Sequence, residues 1–168
     1  NTDLGLLKPE VSKAIAAAAD EIIAGKLRDQ FVVDVYQMGA GTSFNMNANE
    51  VLANRAIEIL GGKIGDYALV HPNDHVNMAQ SSNDVIPTAK RVAGRLLLRE
   101  LLSVLKHLQT ALAAKGKEFD GILKSARTHL QDAVPISLGQ EFAAYAATIG
   151  KCHERIAAAG RSLEELGI

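Results

Sequence analysis

The chain has 168 residues, the length of one ordinary domain, and 48% of them are hydrophobic, enough to bury a substantial core. Its 18 basic and 19 acidic residues nearly cancel, and no run of Lys and Arg is interleaved with aromatics, which argues against nucleic acid as a partner. No stretch approaches the roughly 20 apolar residues that cross a bilayer, the first residues lack the zones of a signal peptide, and the single Cys152 can form neither an internal disulfide nor a cysteine metal cage. The expectation is a cytoplasmic protein without metal or cofactor, its one thiol buried. The chain opens Asn1-Thr2-Asp3 without Met and closes on Leu166-Gly167-Ile168 directly after a helical pattern, so both ends read as cuts in a longer chain.

Lys8-Pro9-Glu10 places a proline where a first helical turn tolerates it, and the Ala- and Ile-rich run behind it predicts a short helix from Pro9 to about Ala24. Phe31 to Asn47 is glycine- and Asx-rich with little periodicity and reads as an ordered loop feeding a helix over roughly Asn49 to Leu60, which Gly61-Gly62 stops. His71-Pro72-Asn73-Asp74-His75-Val76-Asn77 favours turns. Apolar residues then recur from Val85 to Leu112 at helical spacing, predicting one long helix with Pro87 in its first turn. A connector over Phe119 to Val134 leads to a coiled-coil-like seam from Phe142 to Leu166, whose helix is opened by a Ser137/Gln140 capping box. Two such helices cannot cover each other's stripes, so the chain is expected to self-associate or to be completed by further helices.

Three polar clusters interrupt this apolar rhythm: Gly39 to Asn47, Gln80 to Asp84, and Ser125 to Asp132. The middle one opens the long helix, where free N–H groups and the helix dipole favour an anion such as a carboxylate. Ser82, Asn83 or Asp84 can equally be a plain helix cap, and Asp84, whose charge would repel such an anion, is assigned to that part. The glycines of the first cluster permit close backbone approach to a ligand or simply make a turn. Thr128-His129 is either a surface connector or a place to hold a proton near neutrality. His71, Asp74 and His75 fit no metal-ligand spacing around Pro72. Spacing alone reaches a helical protein with a polar, anion-compatible site.

As strings, QMGAGTSFNMNANEVLANRA (Gln37 to Ala56), HPNDHVNMAQSSNDVIPTA (His71 to Ala89) and ARTHLQDAVPISLGQEF (Ala126 to Phe142) resemble three signature regions of the aspartase and class II fumarase family, in order and without obvious gaps. The resemblance implies an all-α fold in which residues 1–80 are the latter part of an N-terminal domain and 81–168 the first two long helices of a central bundle. It also implies a homotetramer with each active site built from three subunits. The reaction implied is reversible anti-elimination to fumarate, from L-aspartate with loss of ammonia or, alternatively, from L-malate with loss of water. Gly39 to Ser43 and Asn77-Met78 lean to aspartase, whereas His71 to Asp74 and Ser81 to Asn83 are common in fumarases.

By the same resemblance Thr42, Ser81, Ser82 and Asn83 bind substrate, Thr128 and His129 are catalytic and come from another subunit, and His71, Asn73 and Asp74 form a secondary dicarboxylate site. Thr42 and the Ser81–Asn83 turn precede the long helix and Thr128-His129 follows it, roughly 45 Å on by helical rise, so the two sets are expected to meet only across subunits. The family's mobile loop, Gly-Ser-Ser-x-Met-Pro-x-Lys-x-Asn, with the serine thought to act as base, is not in these 168 residues. The segment alone is therefore expected to bind weakly and not to turn over. A reading from another class is a non-catalytic helical assembly module that keeps the site residues as relics.

Overall fold

The computed structural model describes residues 1–37 and 39–167; Met38, inside the first quoted string, and Ile168 lie outside the described residues. The chain forms two compact units, one over Asn1–Ala89 and one over Lys90–Leu166.

In the first unit α1 (Pro9–Ile23) starts as expected, with extended Lys8 at the N-cap, Pro9 at the first helical position and Glu10 in the first turn. α2 (Thr42–Ile59) begins at Thr42 rather than near Asn49. The periodicity test fails there because the helix buries Asn45, Asn47 and Asn49 in place of apolar side chains. Gly61, with φ 79°, ends α2 as expected, and the N–H groups of Gly61 and Gly62 return to the carbonyls of Glu58 and Ile57.

Val11 and Ala14 of α1 pack on Ala53, Ala56 and Ile57 of α2, with Val70 and Val76 closing the cluster. Ile57 and Val70 are fully buried, each contributing about 1.5–3 kcal/mol relative to exposure. Glu21 of α1 accepts from Nε and Nη2 of Arg55 on α2 at 2.7 and 3.0 Å, a fork that fixes the helices side by side. Those bonds hold the Glu21 carboxyl below the ordinary carboxylate range, and Arg55 is raised in turn by Glu21 and Glu58.

Residues 72–76 make a single wide helical turn, Pro72–Val76, with Pro72 and Val76 buried. α3 (Ser82–Glu118) follows and is longer than the 85–112 pattern. Pro87 consequently lies inside the helix, past its first turn, where a missing N–H leaves the Asn83 carbonyl without its usual partner.

In the second unit the expected connector is instead an antiparallel hairpin, β1 (Leu123–Thr128) and β2 (Gln131–Ser137). The otherwise helical fold thus carries one small two-stranded sheet. Leu123 pairs with Ser137 and Thr128 with Gln131, with a bulge between Ser125 and Arg127. α4 (Leu138–Gly160) opens on the expected capping box: Ser137 Oγ accepts from the Gln140 N–H at 3.1 Å and Gln140 Oε1 from the Ser137 N–H at 2.9 Å. It lies along α3 on glycines: a side chain at Gly139 would meet the backbone of Gly116 and Asp120, one at Gly116 the backbone of Ala143, and one at Gly160 the side chain of Leu98. The seam does not stay helical to Leu166, because α4 gives way after Gly160 to a 3-10 turn over Arg161–Glu164. Cys152 is half-buried rather than buried.

Candidate functional site

α2 starts on a glycine for a reason visible in the first unit. Gly41 has φ 90° and so adopts the left-handed conformation that side chains resist, and the Ile86 side chain occupies the place of a Cβ at 2.9 Å. A glycine cannot cap with a side chain, and none caps α2. The first N–H with an intrahelical acceptor is that of Asn45, bonded to the Gly41 carbonyl at 3.0 Å. Among the described residues the N–H groups of Thr42, Ser43 and Phe44 have no hydrogen-bond acceptor, at the positive end of the helix dipole.

The start of α3 reaches the same place. Thr42 Oγ1 lies 3.4 Å from Ser82 Oγ, so the first and second polar clusters meet at two helix N-termini. The cap of α3 is Ser81: its Oγ accepts from the Asn83 N–H at 3.2 Å and its carbonyl from Asp84 and Val85 at 3.0 and 2.9 Å. This corrects the assignment of the cap to Asp84, whose Oδ1 instead accepts from Thr88 Oγ1 at 3.4 Å. Asn83 is exposed, and its carboxamide has no hydrogen-bonded partner among the described residues.

His71, Asn73 and Asp74 are brought together by the wide turn. His71 Nδ1 accepts from the N–H groups of Asn73 and Asp74 at 3.2 and 3.1 Å, and Asp74 Oδ2 lies 3.4 Å from the same nitrogen. His75 acts as a strut, its Nδ1 accepting from the His71 N–H at 2.8 Å. Both imidazoles therefore carry their proton on Nε2 in this arrangement. Among the described residues no group of three or more His, Cys, Asp or Glu could hold a metal ion.

Thr128 and His129 sit at the tip of the hairpin in the second unit, both exposed, with Thr128 closing the ladder opposite Gln131. The tip is the two-residue turn His129-Leu130, with φ 52° and 61°. Two positive φ values match the handedness of a tight hairpin but suit Asn-Gly far better than His-Leu. Arg127 Nη2 and Asp132 Oδ1 pair across the strands at 3.3 Å behind it.

Reading the sequence misses the buried carboxamides of α2. Asn47 Nδ2 donates to the Gln30 carbonyl at 3.0 Å while its Oδ1 accepts from the Val33 N–H at 3.3 Å, pinning the segment ahead of the helix. Asn45 Nδ2 donates to Asn77 Oδ1 at 3.3 Å. The available signal is compositional: asparagine disfavours helix interiors, so three at alternate positions from 45 to 49 need a reason other than propensity.

Residues 1–167 match the model of the family described as Lyase. An aspartate ammonia-lyase of Bacillus sp is 52% identical over 168 residues, covering all of this chain and 36% of the relative. A class II fumarate hydratase of Halobacterium salinarum is 56% identical over 169 residues, again covering all of this chain and 36% of the relative. A crystal structure of a fumarate lyase:delta crystallin from Brucella melitensis superposes with a TM-score of 0.94 at 52% identity, over all of this chain and 39% of that one. The chain thus spans little more than a third of the length of the relatives it matches. Aspartase and fumarase relatives stand at similar identity, so what they share is what the match establishes: this chain belongs to the lyase family that holds the aspartases and class II fumarases.

Proposed function

We propose that the chain is part of an enzyme that converts L-aspartate reversibly to fumarate and ammonia. The observation that carries this reading is the meeting of Thr42 and Ser82 hydroxyls, 3.4 Å apart, at two helix N-termini. In the elimination a proton leaves the carbon next to one carboxylate, and its electron pair becomes the double bond. The amine departs from the adjacent carbon with the C–N pair and is released as ammonia. Negative charge grows on the carboxylate beside the reacting carbon, and donors already aimed at it lower the barrier. Thr42, Ser81, Ser82 and Asn83 are the groups assigned to that work, together with the N–H groups that open α2. Thr128 and His129 are supplied by another subunit of a homotetramer, with His129 holding or relaying a proton. His71, Asn73 and Asp74 form a second dicarboxylate site.

Residues 1–80 then belong to an N-terminal domain and 81–168 to a central helical domain of a cytoplasmic enzyme. The family's serine-bearing loop motif is not among these 168 residues, so this segment alone is expected not to turn over. The second reading, hydration of fumarate to L-malate, is favoured by His71-Pro72-Asn73-Asp74 and by the fumarase relatives. Fumarate formation by the full-length protein from L-aspartate and from L-malate decides between them: ammonia-lyase activity predicts turnover of the first, and turnover of L-malate alone overturns it. Turnover of neither removes both readings.

A further inference from the structure

The Thr42 and Ser82 hydroxyls meet only while the turn ahead of α3 keeps its shape, and that turn contains a residue in an unfavourable conformation. Ala79 has φ 59°, a left-handed value that a Cβ resists. Such strain persists only where the surroundings over-determine it. Here they do. The Asn77 carbonyl accepts from the Gln80 N–H at 3.0 Å, and Asn77 Nδ2 donates to the Gln80 carbonyl at 3.3 Å. Gln80 Nε2 donates back to the Val76 carbonyl at 2.9 Å. Asn77 Oδ1 accepts from Nδ2 of Asn45, which is only 5% exposed and sits in the first turn of α2 beside Thr42. Asn77 spends its donor on the strained turn and its acceptor on α2, a double duty that Asp, Leu or Ala cannot perform.

We propose that Asn45 and Asn77 are positioning residues that hold Ser82 against Thr42 by clamping the Ala79 turn to α2. The proposal rests on the reading that Thr42 and Ser82 bind the substrate carboxylate. Its test uses the full-length protein, with kcat and KM for fumarate formation measured separately, alongside melting curves. Asn45→Ala and Asn77→Ala are each expected to lose roughly tenfold or more in kcat/KM. Adding either to Ser82→Ala is expected to cost no more than Ser82→Ala alone, the signature of acting through that hydroxyl. Ala79→Gly, which removes the penalty of the left-handed turn, is expected to restore part of the activity of Asn77→Ala. Should Asn45→Ala not fold, Asn77→Asp, which keeps the acceptor toward Asn45 and loses the donor to Gln80, carries the same expectation at the less buried partner.

Variants of Asn45 and Asn77 that melt lower but keep wild-type kcat and KM, while Ser82→Ala loses activity, overturn the clamp and leave the site standing. Wild-type kinetics in Thr42→Ala and Ser82→Ala overturn the site reading and the clamp with it.

Discussion

Asn83 and Asp84 are neighbours with opposite prospects. Asn83 offers an exposed carboxamide, and a donor aimed at developing charge is worth about 3 kcal/mol, or roughly a hundredfold in rate. Asp84 offers a carboxylate engaged with Thr88. In the full-length protein Asn83→Ala is therefore expected to lose about a hundredfold in turnover with little change in melting, and Asp84→Ala to keep most of its activity; steady-state rates with melting curves make the comparison. An Asp84 variant as inactive as the Asn83 variant, melting like wild type, would put the site on the wrong side of the turn. Sequence alone cannot rank Ser, Asn and Asp as caps, and Asp84 is handed the part only because its charge would repel an anion; the choice falls to Ser81 only through where the chain enters α3. The hairpin tip gives a second expectation. Leu130, at φ 61° and 87% exposed, gains nothing from burial to offset its backbone, so Leu130→Gly should stabilise the hairpin by about 1 kcal/mol, read as a rise in melting temperature.

At the scale of elements, the fork between Glu21 and Arg55 ties α1 to α2 and makes the pair sensitive to acid. Arg55 holds the Glu21 carboxyl below its ordinary range, so the unfolded chain binds that proton more readily than the native one. The contribution is complete above the ordinary glutamate value and is lost as pH falls through the lowered native one. Glu21→Gln should melt below wild type at neutral pH, and the two curves should converge on acidification; a constant gap down to strongly acid pH refutes the assignment. The elements themselves differ in how legible they are. α1, the end of α2 and the capping box of α4 follow from Pro9, Gly61 and Ser137/Gln140, because each signal acts within one turn of chain. The start of α2 is hidden, since asparagines buried by tertiary partners carry no apolar period. The hairpin is hidden too: Lys124-Ser125-Ala126-Arg127 has little strand preference and His129-Leu130 lacks the Asn-Gly turn signal. For the site, the polar strings are visible in the sequence, whereas the link between Asn45 and Asn77 depends on contacts 32 residues apart that no local pattern encodes.

On the scale of the whole molecule, the apolar stripes remain open. Val92, Leu96, Leu97, Leu101 and Val104 of α3 and Tyr145 of α4 are all exposed, a surface costly to leave in water. The chain is expected to self-associate at micromolar concentration, as sedimentation velocity would show; a monomer that binds no apolar dye contradicts this. The two units also differ in what they bury. The apolar cluster from Val11 to Val76 belongs to the first, whereas among the described residues the buried hydrophobics of the second are Leu98 and Ala146. Order of synthesis turns that asymmetry into a sequence of events. Residues 1–89 emerge before the helices of residues 90–166, whose apolar faces stay open until something covers them. Their stability is then linked to association by mass action, so dilution should lower the melting transition of residues 90–166 and leave that of residues 1–89 where it was.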